Sequence, residues 1–343
     1  MRFFVTGGAG FIGSNYVRHL LAADPDAQVT NFDKLTYAGN VASIADLEAD
    51  PRHRFVQGDI CDERLLAEVL PGHDVVVNFA AETHVDRSIV EPLEAVRANT
   101  LGVAALAAAA RQAKVSRFLQ VGTDEEYGTL AQGSFSEGDM LQPSSPYSAG
   151  KAGGTLIALA YATTYKLDVV VTRCTNNYGP YQLPEKVIPL FVTNLLEGRK
   201  VPLYGGGGNL RDWLYVRDHC VAIDLVLRRG ATAQIYNISS GREVPNLELT
   251  RRILAAFGAG DEMIEYVADR PGHDWRYSLD ATKLRELGWE PAHDFETGLA
   301  ETIAWYRENE AWWRPLKPQG ASRTLDHGRR VQVGETPARP AGA

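Results

Sequence analysis

Cysteine is scarce in this chain: Cys61, Cys174 and Cys220 are the three among 343 residues. They form no close metal-binding pair, and no His/Cys cluster accompanies them, so no metal is expected and a reducing, cytoplasmic setting is. His19 and His53 read as ordinary surface or packing residues. Positive charge is also short. A formal net charge of −8 argues against general affinity for nucleic acid, while leaving room for a local basic pocket that takes a diphosphate. Long apolar runs are missing too. The Ala-rich stretch 101–110 is too short to cross a membrane and reads as a buried helix, so no membrane partner is expected. Nor is a secretory leader expected, because a glycine pattern of a different kind occupies the first residues.

What is present is a 45% hydrophobic composition, enough to bury a large core in two lobes. Arg2-Phe3-Phe4-Val5-Thr6 reads as a short strand. Gly7-Gly8-Ala9-Gly10-Phe11-Ile12-Gly13 follows it and runs into a helix-like segment through Tyr16, Val17, Leu20 and Leu21. Gly7, Gly10 and Gly13 then supply the tight turn, the close approach to a pyrophosphate and the close helix-strand packing of a dinucleotide site. A second strand, 29–32, ends at Asp33, whose carboxylate would accept from an adenosine ribose and repel a 2'-phosphate. That favours NAD over NADP, tempered by Lys34, a cation beside it.

Strand signals at 54–57, 75–79, 117–121 and 169–173 alternate with helix signals at 63–70, 93–113 and 147–165. The expected fold is α/β, a Rossmann-like doubly wound parallel sheet with a smaller mixed α/β substrate-binding lobe. The rhythm breaks after Thr175, which places the NAD-binding domain at 1–175 and the first part of the substrate lobe at 176–212. A helix and strand at 213–238 return to the first domain, 239–316 belongs mainly to the substrate lobe, and 317–343, rich in Pro, Gly and Arg, reads as a flexible tail. Asp59-Ile60 and Phe79-Ala80-Ala81 follow the third and fourth strands, where a parallel sheet presents its ligand crevice. Asn99, inside a long helix, supports the cofactor side through its amide.

Tyr147 and Lys151 lie four apart, on one helical face. The ammonium would ease formation of a phenolate and bind the nicotinamide ribose, and the tyrosine would take a substrate hydroxyl proton. Thr123, at the preceding strand's end, would hydrogen-bond the same oxygen. Asp124 and Glu125 come next. An alcohol dehydrogenase has no need of them, but elimination of water does: a ketone at sugar carbon 4 makes the carbon 5 proton acidic and the carbon 6 hydroxyl a leaving group. Glu125 as base and Asp124 as acid could expel it.

These residues resemble the dTDP-glucose 4,6-dehydratases of the extended short-chain dehydrogenase/reductase family. TGGAGFIG, DKLTYAGN, GDICD, FAAETHVDRSI, TDEEYG, SPYSAGKA, RCTNNYGPYQLPEKVIPLF, RDWLYVRDH, YNIS and DRPGHDWRYSLD carry the likeness, from residue 1 to about Trp313. The resemblance implies NAD regenerated in each turnover, a 4-keto-6-deoxy sugar nucleotide as product, and the same two roles for Asp124 and Glu125. It places Lys34, Thr36, Gly39, Thr83 and Asn177 beside the cofactor. Thr83, Asn176, Lys186, Val187, Pro202 and Tyr204 would meet the sugar or diphosphate, and Arg211, Asn246, Arg270, His273 and Tyr277 the diphosphate and nucleoside, with Arg211 otherwise an exposed ion pair with Asp212. It further implies a homodimer through helices 93–113 and 147–165.

Four departures from the family pattern stand out: Gly122 for Ser, Glu126 for Val, Gly150 for Ser, and Ser239-Ser240 for two Gly. Glu126 would either raise a neighbouring pKa or point to solvent by strand alternation. Other readings are a dehydratase of UDP- or CDP-glucose, a 4-epimerase, a decarboxylase, and a protein that keeps NAD as a structural ligand. An epimerase does not explain the acid pair, and a decarboxylase would want a cationic clamp.

Overall fold

Short apolar segments, several buried along their whole length, build the main sheet. A computed structural model of the chain describes residues 1–269 and 275–317. Its strands are β1 (Arg2–Thr6), β2 (Gln28–Asp33), β3 (His53–Gln57), β4 (Val75–Asn78), β5 (Arg117–Thr123), β6 (Val169–Cys174), β7 (Asn176–Tyr178), β8 (Val201–Tyr204), β9 (Leu210–Tyr215), β10 (Gln234–Ile238), β11 (Glu243–Pro245) and β12 (Ile264–Val267). Seven of them run in the order β10-β6-β5-β4-β1-β2-β3, every pair parallel. Strands covered on both faces read as continuous Val, Ile and Phe runs rather than alternations, as β4 and β6 do.

The helices are α1 (Phe11–Ala23), α2 (Glu63–Val69), α3 (Val85–Val90), α4 (Pro92–Val96), α5 (Gly102–Gln112), α6 (Pro146–Tyr165), α7 (Val187–Leu196), α8 (Val216–Arg229), α9 (Asn246–Ala256), α10 (Thr282–Glu286), α11 (Phe295–Glu308) and α12 (Glu310–Trp313). On one face of the sheet Tyr16, Val17 and Leu20 of α1 meet Ile223 and Val226 of α8. Leu66, Leu106, Ala158 and Ala162 of α2, α5 and α6 cover the other. This is the doubly wound arrangement expected. A second lobe holds the sheets β11-β9-β7 and β12-β8 around a core that includes Ile188, Phe191, Trp213 and Leu299. The chain passes between lobes more than once. β10 rejoins the large sheet, and Leu284 and Trp289 also lodge in its core. Residues 318–343 of the expected tail lie outside the described residues.

Helix 93–113 is more than a regular helix. A π-turn, Arg97–Leu101, joins α4 to α5, and the united helix Pro92–Gln112 is, at 21 residues, long and apolar enough to cross a bilayer by length and composition. That corrects the reading of 101–110 as too short. The helix nevertheless packs in the protein, against α2 and α6. α6 approaches the π-turn closely because Gly150 and Gly154 face it: a Cβ at Gly154 would collide with the Asn99 carbonyl oxygen. Ser145 caps α6, accepting the Ser148 N–H at 3.1 Å, and Pro146 opens it. Such a cap contributes about 1 kcal/mol and fixes where Tyr147 enters the first turn.

Candidate active site

The carboxyl ends of β1, β2, β4, β5 and β6 open into one cavity of about 360 Å³. Gly7, Gly10, Phe11, Ile12, Gly13, Asp33, Lys34, Thr36, Gly39, Asp59, Ile60, Phe79, Ala80, Ala81 and Thr83 line one side of it, and Thr123, Asp124, Glu125, Tyr147, Lys151, Asn176, Asn177 and Lys186 the other.

The cofactor side follows from the glycine turn. Gly7 has φ +69°, and a Cβ on Gly13 would strike its carbonyl oxygen, so α1 starts hard against β1. Its N-terminus has no side-chain cap, leaving N–H groups for a pyrophosphate. Asp33 is buried, accepts the Leu35 and Ala9 N–H groups at 2.8 and 3.0 Å, and keeps lone pairs for a ribose. Lys34 does not act beside Asp33 as expected. Its ammonium lies 2.9 Å from Asp59 Oδ2, which commits its charge. Asn99 does not line the cavity. In the π-turn its amide grips Glu82, accepting the N–H at 2.8 Å and donating to the carbonyl at 3.1 Å. π-turns of this kind recur at functional sites. These residues fit a dinucleotide.

The opposite wall carries buried polar atoms without a hydrogen-bond partner among the described residues: Asp124 Oδ2, Thr175 Oγ1, Asn176 Oδ1, Asn177 Oδ1 and Gln182 Oε1. Each such atom costs roughly 1–3 kcal/mol, and a ligand rich in hydroxyl and amide groups offsets that cost. Burial first, and then the charge of Glu125, pushes Asp124 up to about 8. At neutral pH it therefore holds a proton. Arg211 is near enough to oppose the rise. Burial pushes the Tyr147 phenol well above its ordinary value, with the acids around it adding to the effect.

Lys151 shares the cavity with Tyr147, as expected, and has a structural bond besides. Its buried ammonium donates to Val121 O at 2.6 Å, and burial lowers its pKa against the pull of Glu126. It clamps α6 to β5 because a desolvated cation takes the nearest carbonyl. Thr123 lines the same cavity, and its hydroxyl donates to Asp124 Oδ1 at 3.1 Å, which supports the acid.

One reading of Glu126 holds and the other fails: its charge helps to raise its neighbours Tyr147 and Cys174, but it does not point to solvent. Its carboxylate is fully buried, with Oε2 2.8 Å from Arg173 Nε, and it does not figure among the causes of the Asp124 shift. Strand alternation fails because the chain leaves β5 at Thr123 for a 3-10 turn, Asp124–Glu126, in which Thr123 and Glu126 form a capping box. Gly122 makes room: a Cβ there would sit 2.5 Å from Glu126 Oε1 and 2.9 Å from Thr172 O. The two departures thus explain each other. Ser239 and Ser240 also have a task, since both hydroxyls bond to the Asp212 carboxylate, joined by the Gly241 N–H at 3.1 Å. Arg211 is accordingly not an exposed ion pair with Asp212. It is buried, stacked 4.8 Å over the Tyr277 ring.

Other carried-over residues lie in the second lobe, away from the cavity wall. Val187 opens α7, Pro202 and Tyr204 sit on β8, and Asn246 opens α9. Tyr204 O accepts from Gly207, whose carbonyl accepts from Leu247, so these segments share one corner. Arg270 and His273 lie outside the described residues. Sequence reasoning missed Thr175, Gln182, Glu82 and Arg97, which line the same cavity. Thr175 and Gln182 flank the Asn-Asn-Tyr-Gly-Pro-Tyr break, the signal that could have pointed to them.

The profile of the family described as GDP-mannose 4,6 dehydratase matches residues 4–302. A dTDP-glucose 4,6-dehydratase of Streptomyces niveus is 54% identical over 322 residues, covering 92% of this chain and 96% of the relative. A crystal structure of a dTDP-glucose 4,6-dehydratase from Streptomyces venezuelae with NAD and TYD bound is similar at TM-score 0.90 and 55% identity, covering 92% of this chain and 100% of the other. A UDP-glucose 4-epimerase from Thermotoga maritima, with UDP-glucose, reaches TM-score 0.84 at 30% identity over 90% of this chain and 99% of the other. The fold is thus common to both chemistries, but sequence identity separates them, and the chain belongs to the dTDP-glucose 4,6-dehydratases of the extended short-chain dehydrogenase/reductase family.

Proposed function

We infer that the protein is an NAD-dependent lyase that converts dTDP-glucose to dTDP-4-keto-6-deoxyglucose and water. The observation that carries this reading is Asp124, buried, pushed up to about 8 and adjacent to Glu125 in a cavity shared with Tyr147 and Lys151. A redox site alone has no use for a carboxyl held protonated at neutral pH.

The residues divide the work. Tyr147 takes the carbon 4 hydroxyl proton, and Lys151, whose ammonium also holds its helix against β5, eases formation of the phenolate. When bound, NAD supplies the acceptor for the carbon 4 hydride and returns it to carbon 6. Glu125 removes the carbon 5 proton and returns one to carbon 5 when the 5,6 double bond is reduced. Asp124 delivers its proton to the departing carbon 6 hydroxyl from Oδ2, while Thr123 holds Oδ1. Lys186, with Glu185, Glu125, Asp86 and Glu82 around it, is assigned a diphosphate or sugar oxygen, and Arg211 a phosphate, because cations of these kinds bind such groups. Product mass after incubation with dTDP-, UDP- and CDP-glucose tests the reading. Loss of water with dTDP-glucose and no net NADH is expected; no reaction with any of the three while NAD stays bound would overturn the glucose-nucleotide assignment.

The chain is also proposed to act as a homodimer. Leu93, Leu101 and Leu156 on the united helix and α6 are 79%, 60% and 56% exposed, an apolar stripe that a second copy would cover. Light scattering should give about twice the chain mass, and a persistent monomer at working concentration would contradict it.

A further inference from the structure

Three groups on α6, Tyr147, Lys151 and Thr155, follow one another at intervals of four and so share a face. The first two reach the reacting centre. The third is buried, and its hydroxyl donates to Glu126 Oε1 at 3.1 Å. The same oxygen accepts the Thr123 N–H at 3.2 Å, closing the turn that carries Asp124 and Glu125, while Oε2 meets Arg173 Nε at 2.8 Å. Arg173 stands on β6, one residue before Cys174 and Thr175 in the cavity wall.

We propose that Glu126 is a positioning residue: one buried carboxylate sets the spacing between the elimination pair on the β5 turn and the redox pair on α6. The proposal rests on the dehydratase reading. Glu126 reaches the three elements whose ends meet at the reacting carbons, and touches neither the cavity nor a reacting atom. Lys151 forms the only other described hydrogen bond from the α6 face to β5, through Val121 O. That bond lies nearer the start of α6, so the pair fixes tilt as well as distance. Loss of Gly122 would displace the carboxylate, so this device is available only to a chain without a side chain there.

Dehydration is sensitive to this spacing because Tyr147 must serve carbon 4 while Asp124 and Glu125 serve carbons 6 and 5 of the same bound sugar. Misplacement by about 1 Å can cost on the order of 100-fold in rate. It should also uncouple the steps, leaving oxidised sugar and NADH waiting for an elimination pair out of reach.

The test uses the full-length holoenzyme in three variants. Thr155→Val removes the α6 anchor and keeps the ion pair, Thr155→Ser restores the hydroxyl, and Glu126→Gln keeps an acceptor but sets an amide against Arg173. Wild type must first form dehydrated product; if it does not, the functional reading fails and the proposal with it. With a working wild type, Thr155→Val should lose about tenfold in kcat and Glu126→Gln up to about 100-fold. KM and bound NAD should stay within about twofold, NADH absorbance should build up during turnover, and Thr155→Ser should recover most of the rate. Glu126→Gln is the harsher change, because it leaves a buried guanidinium unpaired; if it does not fold, Thr155→Val decides. A folded Thr155→Val protein with wild-type kcat and no NADH build-up would overturn the proposal and reduce Glu126 to a counter-ion for Arg173.

Discussion

Tyr147→Phe is expected to retain bound NAD and the fold while losing oxidation of dTDP-glucose by roughly a hundredfold to ten-thousandfold, the range for removal of a general acid or base. The phenol lies in the first turn of a helix fixed by the Ser145 cap and Pro146, and the Tyr147 backbone N–H donates to Ser88 Oγ at 3.1 Å. Phenylalanine keeps those backbone constraints, so the loss is one of chemistry and not of placement. Burial first, and then the acidic neighbours, hold the phenol up, so deprotonation needs positive charge close by. Stopped-flow absorbance of NADH in a single turnover isolates this step. A Tyr147→Phe rate within a few-fold of wild type would remove the tyrosine from the mechanism.

The second large effect separates the two acids. Asp124→Asn should still oxidise carbon 4, since Tyr147 and Lys151 are untouched, and then stall, because an amide cannot deliver a carboxylic proton. Glu125→Gln should stall one event earlier and abolish exchange of the carbon 5 proton. Either loss should reach about a hundredfold or more, and single-turnover assays with substrate deuterated at carbon 5 distinguish oxidation, exchange and water loss. The pH dependence has a definite sign. Asp124 is raised to about 8, so the proton-bearing form dominates below that value, and the elimination step should be level through neutral pH and fall as pH climbs past about 8. Asp124→Asn should flatten that limb. Near-normal elimination in both variants would make the pair bystanders.

The parts of this site that could be read from the sequence are those set by local rules. A strand, a glycine turn and a helix must follow one another for a dinucleotide loop, and Asp33 ends the next strand, so Gly7, Gly10, Gly13 and Asp33 were legible from spacing alone. Tyr147 and Lys151 were legible because a helix of period 3.6 puts them on one face. What the sequence concealed depends on pairings distant along the chain or on small breaks in regular structure. Lys34 meets Asp59 across two strands, and no local pattern distinguishes that from a cation beside Asp33. The π-turn that aims Asn99 at Glu82 leaves the apolar periodicity of 93–113 almost unchanged. Glu126 was misread because alternation was carried one turn past the end of β5, and its partners Thr155 and Arg173 lie 29 and 47 residues away. In the second lobe a likeness of motif named Val187, Pro202, Tyr204, Arg211, Asn246 and Tyr277, and only contacts could show that Arg211 stacks on Tyr277 within reach of the Asp124 charge.

In this mechanism one cavity oxidises, eliminates and reduces the same sugar without releasing it. The most direct measurement is the mass and label position of the product formed by wild type from dTDP-glucose carrying deuterium at carbon 4, in ordinary water. A product lighter by one water, with the deuterium retained and moved to carbon 6, is the predicted result. Loss of the deuterium to solvent, or a product of unchanged mass with the carbon 4 configuration inverted, would contradict the account.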